Sequence, residues 1–455
     1  MFPLAWNRLV FSAAEPNSVK FLNLHRANAR FALGEPMTVL SLTSPRARGL
    51  MVLTAHPEGC RVLAGRQIER ARKAFPKPLA AAVGKTALIL GSTTFGYGSS
   101  TAIALKQAGF AKIIGLGFET PPAFRKDKIA IAPAGWYLTA ALHRAYPEQR
   151  TYFADGFSDE TRDRVIDDLR ERGEQIDLLL YSVAAPRRSH LGESFSSALK
   201  VIGEPYDVLG LDYKSGEHKA LRLEPASELE IEHTRRVMGG DDLNLWANAL
   251  LYADLANPGF KVAALSYIGP EFEPLRRIYW DGALGAAKQH IDATTRCLNE
   301  RIAARLGGAA MTCMNPAVVT GASVAIPAML KYIVDYLAVV DSGTGAYDDP
   351  LAVGVGFAKA LYGDGEPWRE QQDEEGRLRL DQNELDPELQ AKLRELWAAG
   401  KVGEVPALTT RGLTLFKREF MRLYGWEVDG VDYEAPVDFA PALGEPEGVT
   451  HLIEE

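Results

Sequence analysis

The sequence contains little cysteine, with only three such residues among 455 and no two of them close together in the chain. Cys60, Cys297 and Cys313 form no CxxC pair, so neither a disulfide framework nor a cysteine-rich zinc site is indicated. His56 lies four residues before Cys60, but this pair lacks the further ligands that a zinc site needs. We therefore predict no bound metal and a reducing, cytoplasmic location.

Long apolar runs and an excess of basic charge are also missing. The most apolar segment, from Val324 to Val340, is shorter than a membrane span and contains Pro327, Lys331 and Asp335. The net charge of −8 disfavours nonspecific binding to nucleic acid or to anionic membranes. We expect no nucleic-acid partner and no stable membrane insertion, and we interpret the apolar segment as a buried or cleft-lining helix.

The first 36 residues lack the signal-peptide pattern of a basic start, an apolar run and a small-residue cleavage site. We interpret residues 1–36 as an N-terminal extension that is disordered or that precedes the true start at Met37. A transit peptide is the lesser alternative, because basic residues outnumber acidic ones in this stretch.

Short apolar runs alternate with helical stretches from Lys85 onward, which is typical of βαβ units and a parallel sheet. The predicted strands lie at residues 85–91, 112–119, 176–185 and 261–269, and predicted helices lie at 99–109 and 159–173. We predict an α/β fold with a Rossmann-like, doubly wound and mostly parallel sheet, which binds ligands at the carboxyl ends of its strands. The Rossmann-like domain would span residues 37–345, with an insertion at about 186–258 and a C-terminal helical appendage at 346–455.

A glycine-rich turn, GSTTFGYGSS from Gly91 to Ser100, follows the first of these strands and precedes a helix. Glycines allow the backbone to approach a pyrophosphate, whose charge a helix N-terminus favours. The spacing G-x4-G-x-G is not GxGxxG, and such turns also occur for packing alone.

Glu119 ends the next predicted strand, where a carboxylate can accept hydrogen bonds from an adenosine ribose and repel a 2′-phosphate. This position favours NADH over NADPH as the cofactor. Arg125 and Lys126 nearby leave NADPH open, and a solvated carboxylate is the alternative for Glu119 itself.

Tyr279 and Lys288 lie nine residues apart in the stretch RRIYWDGALGAAKQHI. On one continuous helix they would face opposite sides, because nine steps of about 100° leave roughly 180° between them. We predict instead that a helix begins after Asp281 as its N-cap, with Tyr279 in the preceding loop and Lys288 on the second turn. The lysine ammonium would then stabilise a tyrosine phenolate and bind a nicotinamide ribose. Such a spacing also arises by chance, so the two residues alone leave catalysis open.

The Y-x8-K spacing resembles that of the FabV-type enoyl-[acyl-carrier-protein] reductases and the related trans-2-enoyl-CoA reductases, of the short-chain dehydrogenase/reductase superfamily. Further similar stretches lie in order over about Met37 to Asp438, namely TAHPEGC, AGWY, YSVAAP, MGGDD, SYIG, LNE, VVT, ASVAIP and FKREFMRLYGWEVDGVDY. The resemblance implies NADH-dependent reduction of the trans-2 double bond of enoyl thioesters to saturated acyl thioesters, the last reductive step of fatty acid elongation. It also favours a monomer.

The resemblance further implies roles for individual residues. Tyr279 would donate a proton, Lys288 would bind NAD, and Tyr267 would contact the substrate. The other implied cofactor contacts are Gly91, Ser92, Thr93, Thr94, Phe95, Gly96, Tyr97 and Gly98 for the pyrophosphate, Phe118 and Glu119 for the adenosine ribose, Asp155 and Gly156 for the adenine, Val183 and Ala184 on the nicotinamide side, and Val318, Val319 and Thr320 for the cofactor amide.

The sequence departs from the family pattern at three points. The glycine-rich turn is one residue longer, two additional residues separate Tyr267 from Tyr279, and Gly321 stands where the family often has glutamine. Two other functions stay open: a superfamily enzyme that reduces a ketone, and a non-catalytic NAD-binding redox sensor. The residues also leave open whether acyl carrier protein or coenzyme A carries the thioester.

Overall fold

The computed structural model describes residues 39–48, 51–125, 128–365, 367–439 and 449–451. The N-terminal extension predicted at residues 1–36 lies outside the described residues.

In the part of the chain that is described, no helix is both long enough and apolar enough to cross a membrane.

Strands and helices alternate along most of the chain. The strands are β1 (Val39–Leu40), β2 (Ala47–Arg48), β3 (Met51–Val52), β4 (Thr86–Leu90), β5 (Lys112–Gly117), β6 (Ala123–Arg125), β7 (Lys128–Ile131), β8 (Arg150–Phe153), β9 (Ile176–Tyr181), β10 (Arg187–His190), β11 (Glu193–Ser196), β12 (Tyr206–Leu211), β13 (His218–Leu223), β14 (Ala256–Ser266), β15 (Ala309–Met314), β16 (Leu378–Arg379), β17 (Val437–Asp438) and β18 (Val449–His451). The helices are α1 (Pro57–Ala74), α2 (Tyr97–Ala108), α3 (Ala134–Ala145), α4 (Asp159–Glu171), α5 (Glu228–Met238), α6 (Asp241–Tyr252), α7 (Glu273–Tyr279), α8 (Ala283–Leu306), α9 (Met329–Asp341), α10 (Pro350–Tyr362), α11 (Pro387–Ala399) and α12 (Ala407–Arg422).

Eight strands form the central sheet in the order β16-β15-β14-β9-β4-β5-β8-β18, and each neighbouring pair is parallel. The chain runs outward from β4 through β5 to β8, returns to β9 beside β4, and runs outward again through β14 and β15. This reversal between β4 and β9 is the switch point at which doubly wound sheets bind ligands. The predicted Rossmann-like, doubly wound sheet is confirmed.

The central strands consist mostly of apolar residues because both faces of the sheet are buried. Leu88 and Ile89 in β4, and Leu179 and Leu180 in β9, are all 0% exposed, as is expected for a parallel sheet covered by helices on both sides. The sequence did not indicate β8 or β15. The first is short and begins with Arg150, which is buried and paired with Glu174 at 2.6 Å, and AAMTCM in β15 consists mostly of alanine and methionine, which are weak indicators of a strand.

The predicted apolar helix is present as α9, although it begins at Met329 rather than near Val324. It contains a buried ion pair, in which Lys331 Nζ lies 2.5 Å from Asp335 Oδ2 and 4.5 Å from the centre of the Trp397 ring. Helix α12 packs against α9 so closely that a Cβ on Gly412 would lie 2.1 Å from the carbonyl oxygen of Val334. The C-terminal part of the chain therefore packs directly on the apolar core.

The segment after residue 345 also adds strands β16 and β18 to the two edges of the central sheet. It contributes helices α10, α11 and α12 as well. The division into a domain at 37–345 and an appendage at 346–455 stays a prediction.

We expect the substitution Lys331→Met to lower the free energy of unfolding by about 3–5 kcal/mol, because it leaves the Asp335 carboxylate buried without a cation. The double variant Lys331→Met/Asp335→Leu should recover most of this loss, since apolar side chains can replace a buried ion pair. Chemical denaturation measures both, with Lys73→Met at the exposed pair with Glu69 as the control, which should change stability by less than about 1 kcal/mol. A double variant as unstable as the single one would contradict this account.

Candidate active site

Apart from Lys288, which lies on α8, the predicted cofactor and substrate residues follow the carboxyl ends of strands in the central sheet. The glycine-rich turn follows β4, Phe118 and Glu119 follow β5, Asp155 and Gly156 follow β8, Val183 and Ala184 follow β9, Tyr267 follows β14, and residues 318–320 follow β15. Because these strands are parallel neighbours, the structure brings the predicted residues to one edge of the sheet.

The glycine-rich turn lies at the switch point between β4 and β9. A Cβ on Gly91 would lie 2.3 Å from the carbonyl oxygen of Ser182, and a Cβ on Gly98 would lie 2.2 Å from the carbonyl oxygen of Gly91. Gly96 differs, because its backbone is extended and a Cβ there would meet only Thr320 Cγ2, at 4.0 Å. Gly91 and Gly98 thus permit close backbone contact, whereas Gly96 borders open space at the start of α2, which fits a pyrophosphate.

Two aromatic residues of this turn are engaged within the protein. Phe95 is buried in an apolar cluster together with Ile103 and Trp136, so its side chain serves packing. The Tyr97 hydroxyl donates a hydrogen bond to the carbonyl oxygen of Pro316, which ties the turn to the loop after β15.

Glu119 lies half-buried two residues after the end of β5, with its Oε1 accepting a hydrogen bond from Thr93 Oγ1 at 3.3 Å. Burial raises the pKa of Glu119 to about 7, and the Thr93 hydrogen bond opposes that shift. A Cβ on Gly135 would lie 2.1 Å from the same carboxylate oxygen. The glycine of the AGWY stretch therefore provides the space in which this carboxylate lies.

The loops after β8 and β15 use several of their own polar groups internally. Asp155 Oδ1 accepts a hydrogen bond from Phe157 N, and the Gly156 carbonyl accepts one from Trp246 Nε1, both at 2.9 Å. Val318 and Val319 are buried.

The backbone N–H groups of residues 319 and 320 donate to the Tyr347 hydroxyl and to Ser323 Oγ, each at 3.0 Å. These two N–H groups are therefore engaged within the protein, whereas backbone carbonyl groups of this segment could accept hydrogen bonds from a cofactor amide.

The helix is interrupted between Tyr279 and Lys288, as predicted. Helix α7 ends at Tyr279, α8 begins at Ala283, and Lys288 lies on the second turn of α8. Two details of the prediction were wrong. Tyr279 is the last residue of a short helix and not part of a loop, and the N-cap is Gly282, because the Asp281 carboxylate instead accepts a hydrogen bond from Arg276 Nε at 3.2 Å.

Tyr279 is buried, with 4% of its surface exposed, and its ring packs edge-to-face against Tyr267 with centroids 4.7 Å apart. Burial raises the pKa of Tyr279 well above its usual range, and the negative charge of Glu384 raises it further. The sequence had led us to expect that an ammonium group would favour the phenolate. In the structure desolvation of the hydroxyl and the charge of Glu384 both favour the protonated form, so Tyr279 is a neutral hydrogen-bond donor.

Lys288 is half-buried one helical turn before Asp292. Burial lowers the pKa of Lys288 to about 8, while the Asp292 carboxylate opposes that shift. The lysine therefore loses its positive charge in a pH range close to neutrality.

The sequence analysis missed Glu384, which lies in the loop between β16 and α11 and is 0% exposed. Its carboxylate accepts a hydrogen bond from the hydroxyl of Tyr267 at 2.8 Å. The sequence around it, LDQNELDPELQ, is rich in charge and gave no signal that one of these carboxylates is buried.

Comparison with known proteins matches most of the chain to enoyl reductases. Family models described as "NAD(P)H binding domain of trans-2-enoyl-CoA reductase", "Trans-2-enoyl-CoA reductase catalytic region" and "Enoyl reductase FAD binding domain" match residues 42–123, 130–352 and 372–437. The chain is 38% identical to an "Enoyl-[acyl-carrier-protein] reductase [NADH]" of Variovorax paradoxus, over 89% of this chain and 98% of that protein. A relative of the same name from Pseudomonas paraeruginosa is also 38% identical, over 87% and 97%.

The chain belongs to the enoyl-[acyl-carrier-protein] reductase [NADH] family.

Solved structures of trans-2-enoyl-CoA reductases are similar to this enoyl reductase over most of its length. The enzyme of Clostridium acetobutulicum in complex with NADH gives a TM-score of 0.80 at 29% identity, covering 89% of this chain and 100% of that one. The enzyme of Treponema denticola in complex with NAD gives 0.78 at 30% identity, covering 88% and 98%. The nicotinamide cofactor inferred from Gly91 to Gly98 and Glu119 is thus also the cofactor of its relatives.

The described residues in the segment matched by the FAD-binding model do not fit a flavin. Leu413, Phe416 and Phe420 of α12 are 0–4% exposed and pack in the same apolar core as α9, so these side chains are not available to line a flavin site. The cationic side chains of Arg377 and Arg379 are paired with carboxylates, at 2.8 and 2.7 Å. We assign no flavin chemistry to this enoyl reductase.

We expect Gly98→Ala and Gly96→Ala to differ, because only the first inserts a methyl group into a backbone contact. Gly98→Ala should lower the melting temperature together with NADH binding, whereas Gly96→Ala should keep the melting temperature and weaken NADH binding by filling open space. Thermal unfolding and NADH fluorescence titration measure the two effects. If Gly96→Ala bound NADH as tightly as the wild type, the space beside Gly96 would not be the pyrophosphate site.

Proposed function

We propose that the chain is a cytoplasmic, monomeric enzyme that uses NADH to reduce the trans-2 double bond of an enoyl thioester, giving a saturated acyl thioester. The observation that carries this proposal is the interruption between α7 and α8. It leaves Tyr279 buried beside Tyr267 at the end of one helix and starts a new helix for Lys288. A single unbroken helix would have separated the tyrosine from the lysine.

The reaction creates negative charge on the thioester oxygen, which a hydrogen-bond donor must stabilise. When bound, NADH supplies a hydride to C3 of the substrate. Tyr279 would donate a hydrogen bond to the enolate oxygen and then its proton, which ends on C2 of the saturated thioester. The raised pKa of Tyr279 keeps that proton in place beforehand. A donor held in a buried site where charge develops is an effective source of rate enhancement.

The cofactor is held by the glycine-rich turn, by Glu119 and by Lys288. The backbone around Gly96 receives the pyrophosphate at the N-terminus of α2, and Lys288 binds the nicotinamide ribose. Glu119 accepts hydrogen bonds from the adenosine ribose, and its carboxylate repels the 2′-phosphate of NADPH.

The acyl chain of the substrate would lie against the start of α9. Tyr279 belongs to the same apolar cluster as Ala328, Met329 and Leu330, and the half-buried side chains of Val324 and Ile326 border that cluster. These side chains offer an apolar surface beside the reacting end of the thioester.

Two further observations support a cytoplasmic monomer. Both edges of the central sheet are occupied by strands of two or three residues, β16 and β18, and short edge strands disfavour edge-to-edge association. Cys60, Cys297 and Cys313 are free thiols, as expected in a reducing compartment.

We expect Tyr279→Phe to lower kcat for NADH oxidation with crotonyl-CoA by about 10²- to 10⁴-fold, because the donor to the enolate is lost. NADH binding and melting temperature should stay at wild-type values, and Tyr252→Phe at an exposed tyrosine is the matched control. Full turnover by Tyr279→Phe would remove its catalytic role.

The same assay separates the alternative functions. A ketone reductase would oxidise NADH with a carbonyl compound and leave crotonyl-CoA unchanged. A redox sensor would bind NADH and oxidise it with neither substrate.

We expect kcat/KM for NADH to decrease as the pH rises through about 8, because the Lys288 ammonium is lost there. The fall begins below the range of an ordinary lysine since the folded protein lowers this pKa. Lys288→Arg keeps the charge above pH 8 and should remove the decrease, whereas Lys288→Met should weaken NADH binding at every pH. A wild-type profile that stays flat to pH 9.5 would rule out a required ammonium.

A further inference from the structure

Glu384 is a fully buried carboxylate at the centre of a hydrogen-bonded network. Its Oε1 accepts hydrogen bonds from the hydroxyls of Tyr267 and Tyr332, both at 2.8 Å, and its Oε2 accepts one from Ala317 N at 2.8 Å. Gln390 Nε2 donates to the Tyr332 oxygen at 3.0 Å and to the Glu384 carbonyl oxygen at 2.6 Å. The network joins the ends of β14 and β15 to helices α9 and α11.

Burial places the titration of Glu384 close to neutral pH. Burial raises the pKa of Glu384 to about 7, with the negative charge of Asp381 acting in the same direction. The hydrogen bonds from Ala317 N, Tyr267 and Tyr332 lower it. Asp381 is itself paired with Arg379 at 2.7 Å.

The negative charge of Glu384 also raises the pKa of three further tyrosine hydroxyls, those of Tyr97, Tyr279 and Tyr336. These residues lie on α2, α7 and α9. Because burial raises the pKa of Glu384 to about 7, both its ionised and its neutral form are populated under ordinary assay conditions, while Tyr279 stays protonated beside either form.

The two tyrosines bound to Glu384 differ in what else they can do. Tyr332 is 0% exposed, and its hydroxyl also accepts the hydrogen bond from Gln390, so it is fixed within the core. Tyr267 is half-buried and lies edge-to-face against Tyr279. Within the described residues its hydroxyl makes the single hydrogen bond to Glu384.

The protonation of Glu384 decides where the Tyr267 proton points. An ionised carboxylate only accepts hydrogen bonds, so the single hydroxyl proton of Tyr267 is donated to Glu384. A neutral carboxyl group can donate its own proton to the Tyr267 oxygen, which frees the hydroxyl proton for another acceptor. The thioester oxygen of a substrate bound against Tyr279 would be that acceptor.

We propose that Glu384 is a positioning residue for Tyr267: in its protonated form it turns the Tyr267 hydroxyl toward the thioester oxygen as a second donor beside Tyr279. This inference rests on the proposed function. It adds a requirement for a neutral carboxyl group that acts through Tyr267 and does not itself contact the reacting atoms.

The test is the pH dependence of kcat/KM for crotonyl-CoA at saturating NADH. In the wild type this value falls as the pH rises through about 7, because a folded-state pKa raised to that value leaves Glu384 ionised above it. Loss of one donor to the enolate decreases the rate by about 10²-fold or more. Glu384→Gln, which cannot ionise, shows no fall between pH 6 and pH 8.

The matched control is Glu388→Gln, four residues later on the exposed first turn of α11, which keeps the wild-type profile. A fall through pH 7 that persists in Glu384→Gln overturns the proposal. Melting temperatures of both variants are measured alongside, since a merely structural role for Glu384 would change stability and leave the shape of the profile unaltered.

Tyr267→Phe provides a second test that does not depend on the folding of a Glu384 variant. This variant keeps Glu384 but lacks the hydroxyl that it orients, so its profile is flat through pH 7. In that background Glu384→Gln has no further effect on the profile. A fall near pH 7 in Tyr267→Phe shows that Glu384 does not act through Tyr267, whereas absence of NADH oxidation by the wild type contradicts the proposed function itself.

Discussion

Backbone contact between the ends of β4 and β9 is the constraint on which the arrangement of the site depends. Gly91 approaches Ser182, and Gly98 approaches Gly91, at distances that leave no room for a Cβ atom. The first of these contacts joins the two halves of the doubly wound sheet at the switch point, and the second closes the glycine-rich turn. The turn that makes them also carries Gly96, which borders open space, so one short segment both joins the halves and leaves room for a phosphate group.

Much of the sheet could be predicted because buried parallel strands consist of nearly continuous apolar runs. TALIL in β4 and IDLLLY in β9 are such runs. The rule that parallel strands end at one edge then placed Glu119 and Tyr267 on the same side of the sheet. The short strand β8 could not be predicted in this way, because its leading Arg150 is buried through a pair with Glu174, which a sequence pattern does not reveal.

The site could be predicted where local geometry decides it. The nine-residue spacing of Tyr279 and Lys288 required an interruption of the helix, and the interruption is present. The identity of the cap was wrong because Asp281 pairs with Arg276. The raised pKa of Tyr279 could not be predicted from the sequence, because it is caused by burial and by Glu384, which is distant in the chain. Glu384 was missed for a related reason: it meets Tyr267 across 117 residues of chain, and only tertiary packing distinguishes it from the exposed acids around it.

The two strands from the C-terminal part of the chain have a consequence for biosynthesis. Strands β15 and β8 are edge strands of the sheet until residues 378–379 and 449–451 pair with them. During translation the backbone of these edges stays unpaired until those later segments have left the ribosome. A nascent chain that has already formed its glycine-rich turn therefore still exposes two templates for intermolecular strand pairing, and this exposure lasts until both segments have been made.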